Sequence, residues 1–434
     1  MHYFVYCNGI LHAEDVSIPA IAEKVGTPFY CYSTATLTRH YLVFREALQG
    51  VDASICFAMK ANSNLAVVHT LANLGAGADV VSGGELELAM KAGVPASKIV
   101  FSGVGKTEAE MALALKCGVA QLNVESEAEL HTLSRVAKQM GATVRVALRV
   151  NPDVDAKTHD KISTGRKGDK FGIDWELAPR LYQKAAGLGG LEPTAVAVHI
   201  GSQITTLAPF EAAFKRVHEL VAKLRANGFL INHLDLGGGL GVPYDHTSNV
   251  HPPSPAEYGA MVKRTLGDLG CKMMFEPGRL IVGNAGILVT RVISTKQTTS
   301  RRFVIVDAGM NDLVRPAMYG AYHEILPVVE APPSPGATVA DIVGPVCETT
   351  DRFAQDYRLP QLAAGDLLAI LTTGAYGAVM ASTYNARPLV PEVLVNGNQY
   401  AVVRRRPTIE EMTALESLPP WLSDTKAYGR RRAT

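Results

Sequence analysis

Residues 54–62 decide the fold, because they read SICFAMKAN: a short apolar run that ends in a lysine and an asparagine. The run lacks any alternation of polar and apolar residues, which is typical of a strand buried on both faces of a parallel sheet. Similar runs recur along the chain, each followed by an amphipathic helical stretch. The eight runs are Ser54–Met59, Ala78–Val81, Ile99–Phe101, Gln121–Val124, Val144–Val150, Ala195–Ile200, His233–Leu236 and Lys272–Phe275. Eight consecutive strand–helix units predict a closed (β/α)8 barrel, although the pattern alone leaves an open, doubly wound sheet as an alternative.

The sequence changes character near residue 286, where helical patterns give way to strands separated by turns that contain proline and glycine. The strand-like runs of this part are Ile287–Ser294, Phe303–Asp307, Thr338–Val343, Asp366–Leu371 and Gln399–Arg405. They predict a mostly antiparallel β domain over residues 286–434, which follows a barrel over residues 27–285. Residues 1–26 precede the barrel pattern, and we expect Tyr3–Cys7 to add a strand to the late β domain.

Composition excludes several classes of protein. The 434 residues are 47% hydrophobic and 19% charged, as in a globular protein with an ample core. The formal net charge of +1 gives no global field that would hold nucleic acid or an anionic membrane. We expect no membrane span and no signal peptide, since long uncharged apolar runs are missing. Six scattered cysteines without a Cys-x-x-Cys pair predict reduced thiols in a cytoplasm and no metal site.

Reactive side chains follow four of the predicted strands. Lys60 ends the first strand, His199 the sixth, the Gly237–Gly239 run the seventh and Glu276 the eighth. Each feature alone has an ordinary explanation: a solvated lysine, a satisfied core histidine, a tight turn and a turn carboxylate. In a (β/α)8 barrel, however, the carboxyl ends of the strands meet on one face, where active sites are built. We therefore expect all four features to converge.

This combination suits pyridoxal 5′-phosphate (PLP). A lysine after a fully apolar strand would be buried, and burial would lower its pKa and make the amine a nucleophile toward an aldehyde. Glycine amides could bind the phosphate, and a carboxylate paired with the ring nitrogen would keep PLP a strong electron sink, which favours decarboxylation. The predicted cofactor-binding residues are Lys60 for the aldehyde, His199 for the ring face, Glu276 for the ring nitrogen, and Ser202, Gly237, Gly238, Gly239 and Arg279 for the phosphate. Pro277 and Gly278, which follow Glu276, complete the predicted set.

Longer motifs resemble those of the fold-type III PLP decarboxylases over nearly the whole chain. The motifs are His199–Gln203, Asp307–Tyr319, Gly344–Asp351 and Gly374–Gly377. Within that family they are similar to the diaminopimelate decarboxylase branch, because Gln203 stands where ornithine-type relatives usually carry glycine, and Glu348 stands where they usually carry aspartate. The resemblance implies an alanine-racemase-like barrel followed by a C-terminal β domain.

The resemblance also implies residue roles. Cys347, the second catalytic residue beside Lys60, would deliver a proton to the carbanion after CO₂ leaves. Glu348 would pair with the distal ammonium of the substrate. The other substrate-binding residues implied are Arg279 and Arg315 for the distal carboxylate, and Tyr319 and Tyr376 for hydroxyl contacts, with Tyr376 touching the cofactor as well. A homodimer is implied in which Lys60 of one subunit faces Cys347 and Glu348 of the other.

Diaminopimelate carries an amino-acid head at each end, so its distal head needs both an anion site and a cation site. Glu348 together with Arg279 and Arg315 would supply both, and a guanidinium fork matches a carboxylate well. We therefore predict PLP-dependent conversion of meso-2,6-diaminopimelate to L-lysine and CO₂, which the resemblance implies is the last step of lysine biosynthesis. Alternatives are a decarboxylase for D-lysine, D-ornithine or a related basic amino acid, an alanine-racemase-like isomerase, and a non-catalytic PLP-binding protein.

Overall fold

The structure, a computed structural model, describes residues 2–156, 170–245, 251–330 and 338–423. Two features of the sequence lie outside these ranges apart from Lys170. They are the loop near residues 163–170, for which the sequence leaves a mobile lid and a plain surface loop equally open, and the arginine run 430–432. The strands are β1 (Phe4–Cys7), β2 (Ile10–Ala13), β3 (Val16–Ser17), β4 (Phe29–Ser33), β5 (Ala53–Ala58), β6 (Gly77–Val80), β7 (Ile99–Phe101), β8 (Gln121–Val124), β9 (Val144–Asn151), β10 (Ile173–Asp174), β11 (Leu191–Ala197), β12 (His233–Asp235), β13 (Lys272–Phe275), β14 (Gly286–Gln297), β15 (Arg302–Val306), β16 (Ile325–Pro327), β17 (Thr338–Val343), β18 (Arg352–Leu359), β19 (Leu367–Ile370), β20 (Glu392–Asn396) and β21 (Gln399–Arg404). The α-helices are α1 (Ile18–Val25), α2 (Thr34–Ala47), α3 (Leu65–Asn73), α4 (Gly83–Lys91), α5 (Glu108–Cys117), α6 (Glu127–Met140), α7 (Ala178–Ala186), α8 (Ala208–Ala226), α9 (Pro255–Leu266), α10 (Arg279–Val282), α11 (Arg315–Tyr319), α12 (Ile409–Thr413) and α13 (Pro420–Ser423).

Eight parallel strands form a closed ring. Their order is β9, β11, β12, β13, β5, β6, β7 and β8, and β8 pairs again with β9 to complete the ring. The first and last of them in the chain, β5 and β13, lie side by side with Met273 opposite Ala53. Each of the eight predicted runs contributes a strand, so the predicted barrel is confirmed and the open sheet is excluded.

The barrel strands and helices follow from local sequence. Every residue of β6, β7 and β8 is buried, because side chains fill the barrel inside and helices cover it outside. Helix α5 shows how the chain returns to the next strand: Thr107 and Glu110 form a reciprocal capping box at its start. Gly118 ends it in the left-handed conformation that glycine adopts without strain.

The second sheet runs in the order β18-β17-β15-β14-β4-β20-β21, and β19 pairs with both β14 and β16 beside this path. Most of its neighbouring strands are antiparallel, as predicted, whereas β15–β17 and β4–β20 are parallel. The sequence patterns located β14, β15, β17, β19 and β21 but missed β16, β18 and β20. They also missed β4, which precedes the barrel in the chain.

The expected pairing of Tyr3–Cys7 with the late sheet is wrong. Strand β1 pairs with β2 in a hairpin, and β2 continues to β3. Asn8 and Gly9 both have positive φ values, 51° and 76°, which suits a two-residue hairpin turn. The turn therefore favours local pairing, and this small sheet reaches the late domain through a bridge from Ile10 to Val329.

Glu392, a buried residue of β20, links the second sheet to the barrel through hydrogen bonds. Its carboxylate accepts hydrogen bonds from the Tyr32 hydroxyl in β4 and from Nδ2 of Asn64 at the barrel rim, the latter at 2.9 Å, and it pairs with Arg404 at 3.0 Å. The domain boundary at residues 285 and 286 stays a prediction, and the boundary at residue 27 leaves β4 on the barrel side although it lies in the second sheet. None of the helices in the described ranges is long and apolar enough to span a membrane.

Candidate active site

Lys60 lies at the carboxyl end of β5, in the short 3-10 turn Met59–Ala61. Its Nζ is 2.6 Å from Oδ2 of Asp79 on the neighbouring strand β6. Asp79 is fully buried, whereas 35% of the Lys60 side chain is exposed. The amine is therefore held in place by a buried carboxylate and still has access to the rim of the barrel.

The expectation that Lys60 has a lowered pKa is wrong. Burial lowers the pKa of this amine, but the charges of Asp79 and Glu276 raise it by more, so the pKa lies above its ordinary value. The sequence pattern did not reveal this, because Asp79 comes 19 residues later in the chain. Reaction of the amine with an aldehyde requires loss of a proton, and Asp79 Oδ2 already accepts a hydrogen bond from Nζ.

Glu276 follows β13 and lies beside a second buried carboxyl group, Asp235. Nδ2 of Asn123 donates to Oδ2 of Asp235 at 2.7 Å and to Oγ of Ser102 at 3.0 Å, and the Gly237 amide donates to Oδ1 of Asp235 at 3.1 Å. Burial raises the pKa of Asp235, and these donors offset part of that rise by favouring its ionised form. The neighbouring Glu276 then carries the proton of this carboxyl pair.

Burial, followed by the charges of Asp235 and Asp79, raises the pKa of Glu276 well above its usual range. The protonated form of Glu276 therefore persists to higher pH than in an ordinary glutamate when no added cation lies against it. A protonated ring nitrogen beside Glu276 would lower its pKa again, since an opposite charge favours the ionised carboxylate.

His199 lines the same cavity as Lys60 and Glu276. Its Nδ1 accepts a hydrogen bond from the Gly238 amide at 3.2 Å. Burial, together with the charges of Arg149 and Lys60, lowers the pKa of His199 well below its usual value. The ring is therefore neutral, and its packing on the cofactor ring stays a prediction.

The Gly237–Gly239 turn follows β12 and packs tightly on its neighbours. A Cβ atom on Gly238 would lie 2.2 Å from the Glu276 carbonyl oxygen, and Gly239 has a φ of 111°. The amides of Gly237 and Gly238 already donate to Asp235 and His199. Of this turn, the Gly239 amide has no acceptor among the described residues and could donate to a phosphate, while phosphate binding by Gly237, Gly238 and Gly239 stays a prediction.

Arg279 begins helix α10 and is buried. Its Nη2 donates to Oγ of Ser202 at 3.1 Å, and its Nη1 donates to the hydroxyl of Tyr244. Its Nε is buried without a hydrogen-bond partner among the described residues. A buried, unpartnered donor beside a glycine turn fits an anionic ligand, as a phosphate is.

The predicted cofactor residues therefore surround one cavity. It is lined by Lys60, His199, Ser202, Gly237, Gly238, Gly239, Glu276, Pro277, Gly278, Arg279 and Tyr376. An amine, a carboxyl group and an anion-binding end, each needed by a different part of PLP, face the same space. The residues present fit this cofactor.

A second cavity, of about 530 Å³, adjoins the first and shares Lys60 with it. The predicted substrate residues Arg279, Arg315, Tyr319 and Tyr376 line this cavity. Burial, with the charge of Arg279, lowers the pKa of Arg315. Within the described residues neither guanidinium group has a carboxylate partner; both donate to neutral groups instead.

Cys347 and Glu348 lie elsewhere on the chain. Both are exposed in the turn after β17, and they line neither of the two cavities. Oε1 of Glu348 accepts a hydrogen bond from the Tyr384 hydroxyl at 2.6 Å. One chain by itself does not bring these two predicted site residues to Lys60.

Sequence reasoning missed Asp79, Asp235, Tyr244 and His323. The two aspartates lay inside runs that were interpreted as apolar, and a carboxylate within a buried strand signals a partner, because buried charges are paired. Tyr244 and His323 stand in loops whose sequence gave no comparable signal.

Comparison with known proteins agrees with this geometry. Residues 34–283 match the family model described as pyridoxal-dependent decarboxylase, pyridoxal binding domain. The chain is 49% identical over 418 residues to the diaminopimelate decarboxylase of Zymomonas mobilis, covering 96% of this chain and 98% of that protein. It is 50% identical over 420 residues to that of Pseudomonas aeruginosa, covering 97% and 100% of the two chains.

Solved structures give the same result. The crystal structure of diaminopimelate decarboxylase from Helicobacter pylori complexed with L-lysine superposes with a TM-score of 0.88 at 41% identity, covering 92% of this chain and 98% of that one. These matches favour a decarboxylase over the isomerase and the non-catalytic binding protein that the sequence left open. The chain belongs to the diaminopimelate decarboxylase family of PLP-dependent decarboxylases.

Proposed function

We propose that this chain decarboxylates meso-2,6-diaminopimelate to L-lysine and CO₂ with PLP as its cofactor, as the last step of lysine biosynthesis. One observation carries the choice of substrate: the buried guanidinium groups of Arg279 and Arg315 face the same cavity as Lys60 without a carboxylate partner among the described residues. Two buried cations are costly unless an anion joins them. The phosphate assigned to Arg279 would supply one anion, and a substrate with a second carboxylate supplies the one that Arg315 still lacks.

The residues around Lys60 have distinct tasks. Lys60 would hold the cofactor covalently through its aldehyde carbon, and His199 would pack on the ring. The Gly239 amide, Ser202 and Arg279 would bind the phosphate. When bound, PLP supplies an electron sink for the pair of electrons left by the departing carboxylate. Glu276, once ionised, would hold the proton on the ring nitrogen, which strengthens that sink.

A substrate with only an amine at its distal end fits this cavity poorly. D-lysine or D-ornithine would place an ammonium group against Arg279 and Arg315, and like charges brought together in a buried site repel. In the proposed complex Tyr319 and Tyr376 add hydroxyl contacts to the substrate.

Cys347 and Glu348 enter this proposal through a partner subunit. They are exposed and line neither cavity of their own chain, as expected of residues that complete a neighbouring site. Cys347 would deliver the proton from its Sγ to the carbon that loses CO₂, and Glu348 would pair with the distal ammonium. We propose a homodimer with shared active sites, located in the cytoplasm, where the six unpaired cysteines would stay reduced.

The proposal is tested by an absorbance spectrum of the purified protein with PLP, followed by CO₂ release from meso-diaminopimelate, D-lysine and D-ornithine. We expect a visible cofactor band and release from meso-diaminopimelate far above that from the other two. A higher kcat/KM for either monocarboxylic substrate would overturn the choice of substrate.

Glu348→Gln should reduce kcat/KM for diaminopimelate by about tenfold to a hundredfold, because a charge-assisted hydrogen bond to the distal ammonium is lost. PLP affinity should stay at the wild-type level. Steady-state kinetics and a cofactor titration measure the two effects. Glu330→Gln, which changes an exposed glutamate that lines neither cavity, is the matched control. An equal loss of PLP affinity and activity would show that Glu348 has a structural role instead.

Glu276→Gln should have opposite effects on stability and activity. The raised pKa of Glu276 means that the folded state binds a proton that the unfolded state has lost, so wild-type stability falls as the pH rises from about 5 toward the folded pKa. Glutamine resembles the protonated acid and removes this loss. Without cofactor, the variant's advantage in melting temperature should therefore grow with pH. Decarboxylation should fall by about a hundredfold, because the amide cannot hold a cationic ring nitrogen.

Melting curves from pH 5 to 9 and CO₂ release at pH 7.5 measure these two effects. Glu87→Gln, at an exposed glutamate that lines neither cavity, is the control for the substitution itself. A melting difference between the Glu276→Gln variant and wild type that is constant with pH would contradict the assigned proton.

A further inference from the structure

The hydroxyl of Tyr244 lies between the two buried guanidinium groups. Its oxygen accepts a hydrogen bond from Nη1 of Arg315 at 2.8 Å and another from Nη1 of Arg279. A tyrosine hydroxyl that accepts two hydrogen bonds still has its own hydrogen to donate. Among the described residues, that hydrogen has no protein acceptor.

His323 is a second neutral acceptor for the guanidinium group of Arg315. Its Nδ1 donates to the Leu371 carbonyl oxygen at 2.8 Å, which leaves Nε2 as an acceptor for Nη1 of Arg315 at 3.1 Å. Burial, followed by the charge of Arg315, lowers the pKa of His323 to about 3. The imidazole is neutral at any working pH, and its ring meets that of Tyr244 edge-on at 5.1 Å.

Arg315 and Arg279 are thus held close together by neutral acceptors. Both are buried, with 7% and 6% of their surface exposed, so water screens their repulsion poorly. Tyr244 and His323 satisfy some of the donors but offset none of the charge. The phosphate assigned to Arg279 offsets one charge, so Arg315 still requires an anion with oxygen acceptors, and the spare hydrogen of Tyr244 is a further donor at the same place.

We propose that Tyr244 is a specificity-determining residue for the distal carboxylate of the substrate. It keeps the guanidinium groups of Arg279 and Arg315 at a fixed spacing and donates its own hydroxyl hydrogen to the carboxylate. This inference rests on the proposed function, because it requires a ligand with a carboxylate at the distal end. Contact with the non-reacting end stabilises bound substrate and transition state alike, so its loss raises KM and leaves kcat unchanged.

The test is Tyr244→Phe in the PLP-loaded enzyme, with L-lysine and cadaverine as ligands in a calorimetric titration. L-lysine keeps the distal carboxylate and cadaverine lacks it, so the pair isolates recognition of that group. We expect L-lysine to bind about tenfold to a hundredfold more weakly to the variant, and cadaverine to bind within about twofold of wild type. The KM for diaminopimelate should rise by a similar factor at wild-type kcat.

Tyr322→Phe is the matched control, because Tyr322 lines the same cavity and packs on the Tyr357 ring rather than on a guanidinium group. It should bind both ligands as wild type does. Wild-type or tighter L-lysine binding by Tyr244→Phe would overturn the inference, since tighter binding would mean that the hydroxyl occupies the carboxylate's place. A parallel loss of both ligands, of PLP or of melting temperature would overturn it in favour of a structural role.

The wild-type protein separates the two levels of the proposal. If it binds cadaverine as well as L-lysine, the proposed substrate is wrong and the role of Tyr244 falls with it. If wild type prefers L-lysine and Tyr244→Phe shows the same preference, only the role of Tyr244 is wrong.

Discussion

Replacing Lys60 with alanine is expected to abolish the visible absorbance of a covalently held cofactor and to reduce turnover by more than about a thousandfold. Among the described residues, Lys60 carries the one primary amine that lines both cavities. Without this amine, PLP can still bind through its phosphate at the anion-binding end of the cavity, but no covalent bond to the protein can form. An absorbance spectrum of the variant supplied with PLP and a CO₂-release assay measure the two losses.

Lys60→Arg is the control that separates chemistry from charge. The alanine variant also leaves the buried Asp79 carboxylate without its cation, which destabilises the folded state. Arginine restores a cation beside Asp79 yet stays protonated, so it cannot react with an aldehyde. We expect Lys60→Arg to melt near the wild-type temperature and to be as inactive as Lys60→Ala. A visible chromophore and normal rate in either variant would refute the assignment of Lys60.

The second large effect is recovery of activity from two inactive proteins. If Lys60 and Cys347 of one site come from different subunits, a mixed dimer of Lys60→Ala and Cys347→Ala chains contains one site with both native residues. Random exchange makes half of the dimers mixed, so activity should return to about a quarter of the wild-type level. Neither variant alone should exceed a small fraction of that activity.

Exchange must be verified, for example by native mass spectrometry of subunits that differ in tag length. Mixing Lys60→Ala with Lys60→Arg gives the control, because no mixed dimer then regains a lysine. Verified exchange without recovery would place Cys347 outside the site that contains Lys60 of the other chain. The exposed position of Cys347 and Glu348 would then need another explanation.

Much of the fold was predictable because it depends on local pattern. An all-apolar run followed by a helix must be buried on both faces, and eight such units in succession have few closed arrangements. The same logic located the converging side chains, since the carboxyl end of each strand lies at one rim. Lys60, His199 and Glu276 therefore line one cavity, as predicted.

What could not be predicted depends on contacts between distant parts of the chain. The pKa of Lys60 follows from Asp79 and Glu276, whose charges outweigh burial, and no spacing in the sequence reports that balance. Tyr244, whose hydroxyl accepts hydrogen bonds from Arg279 and Arg315, lies in a loop whose sequence has no periodic pattern. Strand β4 was missed because it belongs to a sheet that the chain completes only at its far end.

The position of β4 has a consequence for the order in which the molecule is synthesised. Its neighbours are β14 and β20, and the Tyr32 hydroxyl meets its Glu392 partner 360 residues later. During synthesis, β4 is therefore made long before its partner β20. Most barrel strands, in contrast, pair with strands that are next to them in the sequence. A chain that ended before residue 286 would lack β14 and β20, so both edges of β4 would be unpaired. The barrel and the second sheet therefore depend on each other and are not separable domains.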